Sequence, residues 1–124
     1  MTGSSGVTAN QFAQPYCVVL DSSNTLYITD QPNHRVQKWL TGASSGTTVA
    51  GQSNGAIGSA LNLLSYPSDL AVDSSGNVYV VDGGNQRVVY WRSGASAGTL
   101  VAGIGNYFFS IASGRSMYDR NICL

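Results

Sequence analysis

Charged side chains are scarce in this 124-residue chain, at 10%, where an average soluble protein has about 25%. Glutamate does not occur, and six aspartates cancel six bases. That balance exerts no long-range pull on nucleic acid or on an anionic membrane. Histidine occurs once, at His34, and cysteine twice, at Cys17 and Cys123. Zinc sites draw on several His and Cys ligands, and a Ser-His-Asp triad needs its one His beside both partners. Two lone cysteines make neither a disulfide framework nor a metal site, and they read as unrelated thiols. No apolar run approaches the roughly 18 residues that span a bilayer. The opening Met1-Thr2-Gly3-Ser4-Ser5-Gly6 has no basic or apolar region of a signal peptide, so the expectation is a cytosolic chain or a piece of a longer one. Glycines at 42, 46, 83, 84 and 94 never form the G-x-G-x-x-G pattern that opens a phosphate-binding helix. No metal ligand set, catalytic group or cofactor site is therefore expected.

What the chain does have is fifteen glycines and many Ser, Thr and Asn residues between β-branched and aromatic runs. Such a composition describes short strands joined by tight turns. It also repeats. Shifting the sequence by 52 residues aligns 15–54 with 67–106 without a gap, and about half of the positions are identical. Asp21 meets Asp73, Tyr27 meets Tyr79, Asp30 meets Asp82, Asn33 meets Asn85, Arg35 meets Arg87 and Trp39 meets Trp91. A fixed period in this range is the signature of a repeat architecture.

Each copy reads as four strands in an antiparallel meander. The expected strands are 17–21, 25–30, 35–40 and 46–50, with 69–73, 77–82, 87–92 and 98–102 in the second copy. At the first turn, Asp21 or Asp73 accepts backbone N–H groups, and Asn24 or Gly76 tolerates the positive φ of a tight hairpin. Gly3, Gly6 and Asn10 align with Gly55, Gly58 and Asn62, so residues 1–14 read as the end of a connector preceding the first unit, 15–54. The second connector, 55–66, leads to the second unit, 67–106, and its 59–65 portion is expected to hold one helical turn burying Leu61 and Leu64. Residues 107–124 do not match 55–72 and read as a tail foreign to the repeat.

A four-stranded meander that recurs with two apolar faces is the unit of a β-propeller. The aligned residues resemble the NHL repeat family, on Pro67 through Val88 in the second unit and on the Asn33-His34-Arg35 core in the first. The resemblance implies an all-β fold of two blades from a ring that usually has six. The runner-up architecture is a two-sheet β-sandwich. Two departures stand out: Cys17 replaces a frequent Gly, and only two units are present. A pair of blades leaves two outer apolar faces, so self-association or further blades are expected to cover them.

The charged recurrences Asp30, Asn33, Arg35, Asp82, Asn85 and Arg87 are expected to serve the fold, because they recur at one place in both units and buried charges persist when paired. Tyr27, Tyr79, Trp39 and Trp91 recur within strands and are read as packing residues. In a meander the second-to-third turn shares a face with the connector. That places Gln31, Pro32, His34, Gly83, Gly84, Gln86, Asn54 and Tyr66 on one candidate binding face. The resemblance implies a non-enzymatic protein-binding or scaffolding module. RNA-binding relatives use a basic surface, whereas the connector has neither Lys nor Arg. The alternative is a fragment of a propeller enzyme, of lyase, lactonase or esterase type, whose catalytic residues lie in blades absent here.

Overall fold

The computed structural model describes residues 3–103 and, as backbone, the strand 120–123. In the first unit, β1 (Pro15–Leu20), β2 (Leu26–Asp30), β3 (Arg35–Trp39) and β4 (Thr47–Gly51) form an antiparallel meander. The second unit repeats it with β5 (Pro67–Val72), β6 (Val78–Asp82), β7 (Arg87–Trp91) and β8 (Thr99–Ala102). The fold is all-β: two antiparallel sheets, each built on a meander of four consecutive strands. Even the irregularities recur, since the register slips between Pro15 and Cys17 as it does between Pro67 and Asp69. A proline lacks the N–H that a ladder needs, so it stands where each first strand begins.

The hairpin turns follow from their side chains. Asp21 Oδ1 accepts the N–H groups of Ser23 at 2.8 Å and Thr25 at 2.9 Å. Asp73 does the same for Ser75 and Asn77, both at 2.9 Å. Asn24 and Gly76 take the left-handed φ that closes the turns, at 60° and 78°. Between the second and third strands lies a single 3-10 turn, Gln31–Asn33 or Gly83–Asn85, ended by His34 or Gln86 in left-handed conformation.

The core lies between the two sheets. Val19, Tyr27, Val36 and Ala50 of the first blade meet Leu70, Val78, Val80, Val89 and Trp91 of the second, with Leu64 of the connector among them. Each of the larger side chains contributes about 1.5–3 kcal/mol when fully buried. The sheets come closest along the first strands, where Cys17 Sγ lies 3.5 Å from Asp69 Oδ1, its counterpart 52 residues on. Toward the outer strands they part around an opening of about 350 Å³ lined by Lys38, Thr47, Val49 and Ser93. This is the wedge of adjacent propeller blades rather than a flat sandwich.

Three expectations are corrected. The connector forms a turn and an isolated bridge between Ile57 and Leu64, not a helical turn. Leu64 is fully buried but Leu61 is 43% exposed. The Ala60 carbonyl accepts both the Leu63 N–H, closing one turn, and Arg87 Nη2, which also takes the Leu63 carbonyl, so the turn goes no further. Cys17 is disulfide-bonded rather than an isolated thiol. A ninth strand, β9 (Arg120–Cys123), joins the free edge of β1 and sets Cys123, the only other cysteine, opposite Cys17 in register. The rest of the 107–124 tail lies outside the described residues.

Candidate functional site

Each second-to-third turn is built around a buried carboxylate. Asp30, at the end of β2, is fully buried, and its Oδ2 accepts from Arg35 Nε at 2.9 Å and from Asn33 Nδ2 at 2.8 Å. Its Oδ1 accepts the N–H of Ala13 at 2.9 Å. Asp82, also fully buried, accepts from Arg87 Nε at 2.7 Å, Asn85 Nδ2 at 2.8 Å and the N–H of Ser65 at 2.6 Å. The three-residue and five-residue spacings work because the 3-10 turn folds Asn33 and Arg35 back over the carboxylate that precedes it.

The guanidinium then reaches out to the connector. Arg35 Nη1 donates to the carbonyls of Val7 at 2.6 Å and Ser53 at 2.9 Å, and Nη2 donates to Thr8 at 3.1 Å and Gln11 at 2.9 Å. All five of its N–H groups are thereby used. Arg87 repeats three of these four bonds 52 residues later, to Ser59 at 2.7 Å, Ala60 at 3.0 Å and Leu63 at 3.1 Å. Asn33 also donates to Gly6 O and Asn85 to Gly58 O, both at 2.8 Å. The N–H of Gly46 bonds Ala9 O, and that of Gly98 bonds Leu61 O, both at 2.7 Å. Residues 6–13 thus lie on the first blade as 58–65 lie on the second. A carboxylate, an amide and a guanidinium form one clasp, and the clasp occurs twice.

Glycine is required where the clasp meets the fourth strand. Gly51 has φ +78°, and a Cβ there would strike the His34 carbonyl. Gly103, at φ +101°, stands in the same relation to Gln86.

The outward surface of these turns is the candidate binding face. His34 is 7% exposed, and its Nδ1 accepts the N–H of Tyr66 at 3.0 Å while the two rings meet edge to face at 4.5 Å. Burial holds the His34 pKa below the ordinary value, against the charges of Asp82 and Asp30, which pull it up. Tyr66, with φ 49°, is itself 50% exposed. Pro32, Asn54 and Gly84 are exposed, while Gln31, Gly83 and Gln86 are half-buried. The Gly84 N–H bonds Ser65 O at 2.7 Å, so the second turn is tied to the connector. The turns and the connector's two ends therefore share one side of the blade pair. Sequence reasoning missed Ile57, 54% exposed, and Val7, 37% exposed beside Gly55. An apolar residue inside a Gly-rich loop was the available signal.

Among the described residues no three His, Cys, Asp or Glu side chains are grouped to hold a metal ion. No helix among them is long and apolar enough to cross a membrane. The NHL repeat family model matches residues 12–39 and 64–89, as two repeat units. NHL repeats occur in protein-binding β-propeller modules. Among curated proteins none matches the chain.

Proposed function

We propose that this chain is a non-enzymatic binding or scaffolding module, and that a protein docks on the face made by 31–34, 83–86, Asn54 and Tyr66. The observation that carries the reading is the complete internal use of Arg35. A guanidinium whose five donors are all engaged by its own chain has none left for a substrate. The role of Asp30, Asn33, Arg35, Asp82, Asn85 and Arg87 is then to fix the turns and connector as a rigid platform. The platform presents Tyr66, Ile57, Pro32 and Asn54, a neutral and partly apolar set. Exposed aromatic and aliphatic groups on a rigid scaffold suit a protein surface better than a phosphate backbone.

The test is affinity capture with the chain and two variants, each first checked for an unchanged melting curve. Tyr66→Ser with Ile57→Ser removes the apolar part of the platform, and Arg92→Ser alters the opposite end. The expected result is a protein partner lost with the first variant and kept with the second. A partner indifferent to Tyr66 and Ile57 would overturn the reading.

A further inference from the structure

The repeat permits a comparison of each residue with its own counterpart, one flanked by a blade and the other not. On the second blade, Leu64, Leu70, Val78, Val80 and Trp91 face the first blade and are 0–1% exposed. Their counterparts Phe12, Val18, Leu26, Ile28 and Trp39 lie on the outer face of the first blade, and all five are half-buried. The opposite surface shows the converse. Tyr27, on the inner face of the first blade, is 2% exposed, whereas its counterpart Tyr79 is half-buried on the outer face of the second. The two remaining faces are thus copies of the two halves of the interface that the chain already makes.

We infer that a second copy of this chain packs head to tail on the first, its second blade against the first blade's outer face. The contact repeats the internal one. Within the chain, the Tyr27 hydroxyl crosses to the turn at Gly76, where a Cβ would sit 3.6 Å away in ordinary contact. Between copies, Tyr79 takes the place of Tyr27 and meets the turn at Asn24, which occupies the Gly76 position with the same left-handed backbone. A Cβ at that position leaves the hydroxyl in ordinary contact. Val81 and Val88 are already buried, so the new contact falls to Tyr79, Tyr90 and Ala71. The interface is heterologous, because each copy offers two different faces, and such contacts close into rings or continue as filaments. Blade rings close with four to eight members, so two blades per chain give rings of roughly two to four copies. This surface is separate from the loop platform, and neither inference depends on the other.

The test is the solution mass of the full chain by light scattering, with two variants that place a charge on opposite faces. The chain is expected at two to four times its 13.0 kDa. Leu26→Lys alone and Tyr79→Lys alone are each expected to be monomeric, because every copy then lacks one half of the contact. Mixed in equal amounts they are expected to pair, since one intact face of each kind remains. Far-UV circular dichroism checks folding, and Ile28→Lys and Tyr90→Lys replace any variant that unfolds. A monomeric parent chain overturns the inference, as does a mixture that fails to pair. A Tyr79→Lys chain that still dimerises would mean two first blades meeting face to face, and overturns it equally.

Discussion

Arg35→Ala removes the centre of the first clasp. Arg35 is 1% exposed and its partner Asp30 fully buried, so the substitution leaves a carboxylate without its counter-charge. Breaking a buried pair by deleting one member costs about 3–5 kcal/mol. The same change strands four main-chain carbonyls that Nη1 and Nη2 satisfied, but those on the connector regain water once it lifts away. The expected loss therefore stays near that range. Arg87 is the internal control: its side chain is 12% exposed, so Asp82 is less isolated when it goes. Arg87→Ala is expected to cost less, about 1–3 kcal/mol, the scale of a hydrogen bond to a charged group. In urea, where slopes run about 1–3 kcal/mol per molar, Arg35→Ala moves the unfolding midpoint down by roughly 2 M and Arg87→Ala by roughly half as much. If Arg35→Ala fails to fold, Asn33→Ala tests the same clasp, because Asn33 Nδ2 bridges Asp30 and Gly6. Amide hydrogen exchange supplies the second readout: the N–H of Ala13 and of Gly46 should lose protection first, since both bonds bind the 6–13 segment to the blade. An Arg35→Ala stability within about 0.5 kcal/mol of the parent would refute the reasoning.

Three further outcomes follow from the geometry. Gly51→Ala, at φ +78° against the His34 carbonyl, should destabilise by more than about 1 kcal/mol, whereas Gly42→Ala, at φ +76° in open space, should cost less, both read by urea titration. Burial depresses the His34 pKa, so its contribution to stability is full above the unfolded value near 6.5 and is lost as pH falls through the folded value; His34→Gln, which copies Gln86, should flatten stability measured across that acidic window. The Asp73 carboxyl is partly desolvated, which opposes ionisation, yet bonds from the Asn77 side chain and the Asn77 and Ser75 N–H groups outweigh this and lower its pKa. Asn77→Ala should raise that pKa, seen by carbon-detected NMR titration.

Much of the fold was legible because it is written twice. Strand order, the turns at Asp21 and Asp73, and the faces that carry Tyr27 and Trp39 all follow from period-two patterning repeated at 52 residues. The pairing of Asp30 with Arg35 was legible as a type of contact, since two opposite charges recur across a short turn. What Arg35 grips was not legible: its acceptors are the carbonyls of Val7, Thr8, Gln11 and Ser53, and any side chain can stand on such a backbone. The connector misled for the same reason. Its apolar spacing suggested a helical turn, but only one backbone bond of that kind forms, from the Leu63 N–H to the Ala60 carbonyl, and the Leu63 carbonyl is taken by Arg87. Cys17 was misread because its pairing depends on β9, a strand outside the repeat, and spacing in sequence carries no trace of it. The contact between His34 and Tyr66 was equally hidden, as it joins a turn to the backbone at the end of the connector.

The account rests on one clasp used twice, and the Nε–H resonances of Arg35 and Arg87 report on it directly. Both should appear in nitrogen-resolved NMR spectra as slowly exchanging signals, the Arg35 signal vanishing into fast exchange in Asp30→Asn and the Arg87 signal in Asp82→Asn. Two Nε–H groups exchanging with water as freely as those of surface arginines would contradict it.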